Sequence, residues 1–436
     1  MKTLLLLEDK AERIAAFEKV VSELGSDWRM QVWRDAPTML AECQSYFAET
    51  HLISLDHDLC PQPGATVDPG TGLEVAKLRS SHLPFCPIII HSTNVDRAWS
   101  MHNEPRFGGW AVECFGPIGD DWCHKLWLPK ARELLASSPR KDIFKCLPDH
   151  KERMRRALLS LEGLAIADAV GEMLACRQYQ APSIIDKGLP AGPWFRPDDS
   201  EMAISIAESL KLYGHIHQGA LARRFAWRYE RDPDRGYGSV TRAQLNEITR
   251  GGDWWLGAAN AFGGQGSMGN GGYFADDLKR VASEACASAA VTHAHPEGVA
   301  GTISVAIAAA VAWQSRNESK SQRARQMFEA VLKFTPESKV RRGILIASQT
   351  PASVEVESVS KALGNGSLVT APDTVPFALW SAASHFDNYV NALKQTILHW
   401  CLVCVVRVWR RGRVAGAGLA AERWVDASGR AASGSV

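Results

Sequence analysis

Arg196-Pro197-Asp198-Asp199-Ser200-Glu201-Met202-Ala203 sets two adjacent carboxylates at the start of a helix. Met202, Ile206 and Leu210, with Ala203 and Ala207 beside them, recur at three- and four-residue spacing, which predicts a helix with one apolar face over 199–212. Asp198 and Asp199 then occupy its first turn. Hard cations such as Mg²⁺ take oxygen ligands, and a rigid helix start fixes the direction of each carboxylate. The same residues also suit an ordinary acidic helix start, because Asp and Ser satisfy free backbone amides there.

Two downstream segments bear on this choice. Gly266-Ser267-Met268-Gly269-Asn270-Gly271-Gly272 is too rich in glycine for a helix or packed strand. Exposed amides in such a run can cradle phosphate oxygens, and the run is equally compatible with a plain loop. Val291-Thr292-His293-Ala294-His295-Pro296 precedes a small-residue helix over Gly298–Trp313. Its two histidines, His293 and His295, either position a substrate or cap that helix.

Together these segments resemble the ADP-ribosylglycohydrolase family. Arg153–Gly171 looks like the opening helix, with Gly163-Leu164-Ala165-Ile166 and Asp168-Ala169-Val170-Gly171. Asp198-Asp199-Ser200-Glu201 is similar to the first metal motif, Thr-Asp-Asp-Thr or Thr-Asp-Asp-Ser. Trp227–Gly238, ending Arg235-Gly236-Tyr237-Gly238, matches the loop after the next helix. The glycine run, the Thr-His-Ala-His-Pro segment and Val369–Trp380 follow in order, so the resemblance covers about residues 150–396.

The resemblance implies an all-α domain that cleaves the glycosidic bond between ADP-ribose and a protein or small-molecule acceptor, using two Mg²⁺ or Mn²⁺ ions. Two such metals, about 3.5–4 Å apart, bind ribose hydroxyls and activate a water. By that resemblance Asp198 and Asp199 are catalytic residues and metal ligands. Gly266, Ser267, Gly269, Asn270 and Gly271 hold the diphosphate or distal ribose, and His293 and His295 contact substrate.

The chain departs from the family pattern twice. Pro197 replaces a metal-binding threonine and has neither a side-chain oxygen nor an amide proton. The second half-site, an Asp-x-Asp-Thr or Asp-x-Asp-Ser motif, should follow a segment like Asn391–Thr396. Instead the chain runs Ile397-Leu398-His399-Trp400-Cys401-Leu402-Val403-Cys404 into an Arg, Ala, Gly, Val and Trp-biased tail. Beyond Asn388 its only acids are Glu422 and Asp426. This composition fits an out-of-frame reading of a GC-rich gene. The hypothesis is a one-base slip near residue 400; resequencing decides it, and an Asp-x-Asp motif missing from every frame would sink it.

Residues 1–138 read differently. Predicted strands at Thr3–Leu7, Met30–Arg34, His51–Leu55, Pro87–Ile90 and Trp110–Phe115 alternate with helices at 10–24, Pro37–Glu49, Gly72–Ser80, Asp96–His102 and Asp121–Leu135. That alternation argues a five-stranded parallel sheet with helices on both faces, whose sites lie at the carboxyl ends of the strands. Glu8-Asp9, Asp56-His57-Asp58 and His91-Ser92-Thr93-Asn94 all fall there.

This half resembles a flavodoxin-like receiver domain: an acid pair after strand one, an acid after strand three and a hydroxyl after strand four. Gly116-Pro117 stands where receivers carry a lysine after strand five. The added His57 and His91 bring it nearest to variant receivers proposed to process cyclic phosphates. By that resemblance Glu8, Asp9, Asp56, Asp58 and Ser92 form the acid cluster, and His57 and His91 act as general base and acid on a cyclic phosphate. Histidine suits both roles near neutrality. The plainer alternative is that one or both histidines only hydrogen-bond within the cluster.

The composition agrees with two soluble domains. The 436 residues exceed the usual single-domain range of about 50–250, and 46% hydrophobic with 22% charged residues marks a globular chain. A net charge of +1 gives no broad basic field for nucleic acid. The ten cysteines are scattered and Met1-Lys2-Thr3 opens no secretory signal, so a reducing cytoplasm is expected. The apolar run Ile397–Val406 is shorter than the roughly 20 residues of a bilayer span, so no membrane association is expected. The expected organisation is a receiver-like domain at 1–138, a turn-rich linker at 139–148, a hydrolase-like domain at 149–400 and an atypical tail at 401–436.

Three functions fit. The first is a metal-dependent ADP-ribosyl hydrolase whose receiver-like half processes or senses a cyclic phosphate, its activity impaired by the missing half-site. The second is an inactive ADP-ribose-binding module. The third is a signalling protein regulated by phosphorylation of Asp56, against which the missing lysine argues.

Overall fold

The computed structural model describes residues 1–62, 64, 67–119, 121–141, 143–144, 147–175, 194–259 and 271–398, with the backbone of 424–425. The chain divides into two compact units, Met1–Lys145 and Cys146–Val436.

In the first unit, Leu4-Leu5-Leu6-Leu7 and Ile88-Ile89-Ile90 are fully buried, as expected for strands covered on both faces. The strands are β1 (Lys2–Leu7), β2 (Trp28–Trp33), β3 (Thr50–Leu55), β4 (Ile88–His91) and β5 (Val112–Phe115). All pair in parallel, in the order β2-β1-β3-β4-β5. The order reverses between β1 and β3, which opens a crevice at their carboxyl ends.

Helix α1 (Ala11–Ser22) contributes Phe17, Val20 and Val21 to a cluster with Leu4, Leu6, Leu52 and Ile89. Trp127, Leu128, Ala131 and Leu134, at and within α5 (Leu128–Ser137), complete it. Helix α3 (Gly72–Ser80) packs against both α2 (Ala36–Glu42) and α4 (Val95–Phe107).

Several boundaries differ from expectation. The helix expected over Pro37–Glu49 ends at Glu42 and tightens into a 3₁₀ turn, Cys43–Tyr46. That expected over Asp121–Leu135 begins as a π turn, Cys123–Trp127. Helix α4 continues through Pro105 to Phe107, five residues beyond the expected end. Strand β4 includes His91, paired with Phe115, so this histidine lies inside the sheet rather than in the following loop.

The second unit is helical. Its elements run α6 (His150–Ala175), β6 (Trp194–Phe195), α7 (Asp198–Tyr213), α8 (Gln218–Arg231), α9 (Ser239–Thr249) and α10 (Trp254–Ala259). They continue with α11 (Leu278–Ala289), α12 (Pro296–Gln314), α13 (Lys320–Phe334), α14 (Lys339–Gln349), α15 (Val356–Leu363), α16 (Ala371–Ser384) and α17 (Tyr389–Leu398). Strand β6 pairs in parallel with the backbone of 424–425.

Helix α12 is the axis of the core, packing on α11, α13 and α16. Small residues on all its sides (Gly301, Ser304, Ala306, Ala308, Ala310) let neighbours approach and leave most of it buried. It is long and apolar enough to cross a bilayer, but its burial marks a core helix.

Helix α7 corrects the expected pattern. Twelve of its sixteen residues are buried, including Glu201, so it is enclosed rather than one-sided. One further expectation shifts: Trp227–Arg231 belong to α8 rather than to a loop.

Candidate functional site

Pro197 at the N-cap of α7 cannot cap the helix with a side chain. Asp168, on α6, does so instead: its Oδ2 accepts from the Ser200 amide at 2.9 Å and from the Ser200 hydroxyl at 2.6 Å. The turn is pinned from the other side by the Asp198 amide, which donates to the Arg235 carbonyl at 2.8 Å. Gly236, in the same loop, has a positive φ of 87°. A Cβ there would stand 3.8 Å from Asp198 Oδ1, so the backbone passes close to the carboxylate.

The resulting acid group is electrostatically costly. Burial, then the charges of Asp199 and Asp168, push the Asp198 carboxyl up to about 8. His293 faces the same group: burial lowers its basicity, and Asp199 is the charge that opposes this. Its Nδ1 lies 3.0 Å from Thr292 Oγ1. His295 is the N-cap of α12, its Nδ1 accepting from the Glu297 amide at 3.2 Å. Gly271 and Gly272 press against α12 and α6, where a Cβ would meet the Ala306 carbonyl at 2.3 Å and the Arg156 carbonyl at 2.8 Å. Gly266, Ser267, Gly269 and Asn270 lie outside the described residues, as do 399–423 of the tail.

Two features were missed in the sequence. Asp168 sits buried among Ile166, Ala167, Ala169 and Val170; a lone acid in such an apolar run needs a partner, and that is its signal in the sequence. The other is a network between α7 and α8. Glu201 Oε1 is 2.9 Å from Arg196 Nε, and Glu201 Oε2 is 2.5 Å from Arg228 Nη1. Glu208 meets Arg224 Nε and Arg228 Nη2, each at 2.7 Å. Arg235 joins through the Arg196 carbonyl and lies 3.7 Å from Glu201. Burial favours neutral Glu208, but the two guanidinium groups outweigh it and hold its carboxyl down to about 2. This network allows α7 to be enclosed.

The first unit gathers its own acids at the β1/β3 crevice. Glu8, Asp9 and Asp56 offer oxygens within 4.8 Å of one another, and all three are buried. Among the described residues it is this group, rather than Asp198 and Asp199, that brings three carboxylates so close. Arg13 Nη1 stands 3.1 Å from Asp56 Oδ2 and 3.5 Å from Glu8 Oε2. Asp9 Oδ2 accepts from the Cys60 amide, while its buried Oδ1 has no hydrogen-bond partner among the described residues.

The two carboxyls beside Arg13 shift oppositely. Burial favours neutral Glu8, but His91, the Lys10 amide and Arg13 outweigh it and lower its pKa. For Asp56, burial together with the charge of Glu8 wins and raises it.

His91 is fully buried, stacked on Trp122 and tilted against Phe17. Its Nδ1 is 2.9 Å from Ser54 Oγ, which Trp127 Nε1 also reaches at 3.0 Å. Its Nε2 lies 3.3 Å from Glu8 Oε2, close but not aligned as a hydrogen bond. These are contacts within the acid cluster. His57 Nδ1 is 2.6 Å from Asp58 Oδ1, and the Ser92 hydroxyl accepts from the Asn94 amide at 3.2 Å.

Comparison with known proteins bears on the second unit. The family model described as ADP-ribosylglycohydrolase matches residues 148–400. The chain is 31% identical over 237 residues to the human protein named ADP-ribosylhydrolase ARH3, covering 46% of this chain and 64% of that one. It is 30% identical to the bovine ARH3 over 238 residues, 46% and 63% of the two chains. To the chicken ARH3 it is 27% identical over 290 residues, 55% and 77%. The match thus spans less than two thirds of the human and bovine relatives. With more than half of its residues matched by that family model, the chain belongs to the ADP-ribosylglycohydrolase family.

Proposed function

We propose that residues 149–400 form a hydrolase domain that cleaves the glycosidic bond of ADP-ribosylated proteins or small molecules, with Asp198 and Asp199 as ligands of a Mg²⁺ or Mn²⁺ ion. The observation that carries this is the group of half-buried Asp198 and Asp199 with buried Asp168, facing His293, in a chain of this family. The residues suit such an ion: they are hard oxygen donors, and the raised Asp198 carboxyl reflects negative charge that a cation would offset. When bound, the ion supplies Lewis-acid activation of a water for attack at the anomeric carbon.

The chain's own residues prepare that step. Asp168 holds the first turn of α7 through Ser200, so Asp198 and Asp199 keep fixed directions. His293, kept neutral by burial, offers a hydrogen bond to substrate without adding a competing positive charge. Pro197 supplies no side-chain oxygen, and residues 397–413 contain no acid for a second ion. Turnover below that of a complete dinuclear site is therefore expected.

Release of ADP-ribose from a modified protein, with and without Mg²⁺, tests the reading. Metal-dependent release supports it. Calorimetric binding of ADP-ribose that needs no metal and leads to no release would replace it with the binding-module alternative.

For residues 1–138 the proposed reading is a flavodoxin-like receiver domain. The strand order and the acids at the β1/β3 crevice support it. Burial of His91 against Ser54 and Glu8 favours sensing a cyclic phosphate over two-histidine catalysis, because this imidazole faces no solvent. Turnover of a cyclic phosphodiester by the isolated chain, lost in His91→Ala and His57→Ala, would reverse that preference.

A further inference from the structure

At the far end of α7 from Asp198, about 22 Å along the helix axis, a different group of side chains converges over a glycine. Gly219 is the second residue of α8. An atom placed where its Cβ would be lies 3.7 Å from His217 Cε1, 3.8 Å from Arg223 Nη1 and 3.8 Å from Trp254 Nε1. Three side chains, two on helices and one from the loop before α8, thus come within 4 Å of one point above the glycine. We propose that this point over Gly219 is a binding site for a phosphate-class oxyanion, separate from the carboxylate site.

The chemistry is one-sided. His217 Nδ1 accepts from the Ala220 amide at 3.3 Å, so in the neutral ring the proton sits on Nε2 and that nitrogen is a donor. Trp254 Nε1 and the Arg223 guanidinium are donors only. Neither donates a hydrogen bond to a described residue, and Arg223 Nε is shielded from solvent without a partner. Two donors, Arg223 Nη1 and Trp254 Nε1, therefore meet at one point beside the imidazole edge of His217, with no acceptor among them, as an oxyanion requires.

The charge balance agrees. Burial lowers the basicity of Arg223, and among the described residues only Tyr213 opposes this; no carboxylate does. Burial likewise lowers His217, reinforced by the positive charges of Arg223 and His215. A carboxylate does touch the loop, but it is engaged elsewhere: Glu284 Oε2 accepts from the Ile216 amide at 2.7 Å, and Oε1 lies 3.5 Å from Arg280 Nε. A partly buried guanidinium with its Nε shielded and no counter-charge beside it is favoured by an anion that joins it.

The glycine is part of the design. A Cβ at Gly219 would make only ordinary van der Waals contacts, so alanine fits the fold, yet it fills the floor where the oxyanion would rest. That separates binding from stability.

The test is calorimetric titration of the full chain with inorganic phosphate at constant ionic strength, repeated with AMP. Wild type is expected to bind one phosphate at millimolar concentration. Arg223→Gln and Gly219→Ala should each weaken this by about tenfold or more. Gly219→Ala keeps its melting temperature, and Asp199→Asn keeps its phosphate binding. AMP binding more tightly than phosphate, with the same dependence on Arg223, would identify a nucleotide phosphate as the source; equal affinity would identify the free ion. No binding by wild type overturns the proposal, as does binding that both Arg223→Gln and Gly219→Ala leave unchanged.

Discussion

Asp168 and Ser200, 32 residues apart, are joined by two hydrogen bonds to one carboxylate oxygen, from the amide at 2.9 Å and the hydroxyl at 2.6 Å. A helix that begins after proline has no side chain to cap it, and here a neighbouring helix performs the capping. The position of the two candidate ligands therefore depends on a residue outside their own segment.

Replacing Asp168 by alanine leaves the buried Ser200 amide and hydroxyl without an acceptor. Each loss costs about 1–3 kcal/mol, so a destabilisation of about 2–6 kcal/mol is expected in urea denaturation. Asp168→Asn should recover part of it, since its carbonyl oxygen can stand in for Oδ2 as a weaker, uncharged acceptor. Equal stability of all three chains would show that α7 is held by other contacts.

The strands of the first unit were legible because apolar runs such as Leu4–Leu7 end in acids, and a parallel sheet places such ends together. The enclosure of α7 was not legible. Glu201 and Glu208 look like solvent-facing residues when only their own helix is considered. Their compensation by Arg224 and Arg228 lies on a different helix, and periodicity along one helix carries no record of it. Asp198 and Asp199 were legible as a pair, but the third acid, Asp168, comes from α6 and looked like part of a packing helix. The expected strand stops at Ile90 because a polar residue after an apolar run gives no signal to continue; the pairing of His91 with Phe115 extends the sheet by one residue.

Divalent metal should stabilise the helical unit through Asp198 and Asp199. Binding to the native state alone adds roughly 2.7 kcal/mol at about 100 times Kd. For a domain of this size that is a rise of about 5–10 °C in melting temperature. Differential scanning calorimetry with MgCl₂ or MnCl₂ is expected to show this in wild type and not in Asp199→Asn. An undiminished rise of the same transition in Asp199→Asn would place the ion elsewhere.

Acid should weaken the junction of α7 and α8. Glu208 titrates in the folded chain at about 2, against an ordinary value of 4.5, because Arg224 and Arg228 outweigh its burial. A depressed carboxyl stabilises the fold above its unfolded pKa and loses that contribution as pH falls through the folded one. Stability should therefore decline between about pH 4.5 and 2, and Glu208→Gln should flatten that decline. At pH 7 the same substitution leaves two guanidinium groups short of a partner and should cost about 1–3 kcal/mol. Unfolding curves across this range check both effects, and a parallel pH dependence in the two chains would assign the decline to other groups.

Arg13 already sits among the acids of the first unit, 3.1 Å from Asp56 and 3.5 Å from Glu8, so it competes with any cation that Glu8, Asp9 and Asp56 would hold. Removing its charge has two opposite consequences. Without metal, Arg13→Gln leaves Glu8 and Asp56 repelling one another in a buried site, at a cost of about 1–3 kcal/mol. With metal, the positive charge that opposed the ion is gone. At such separations one charge is worth several kcal/mol even under protein screening, so affinity should rise about tenfold or more. Calorimetric titration with MnCl₂, in an Asp199→Asn background that silences the helical unit, measures this directly. A weaker affinity after Arg13→Gln would mean that the arginine, and not a metal ion, is the cation for which this cluster is built.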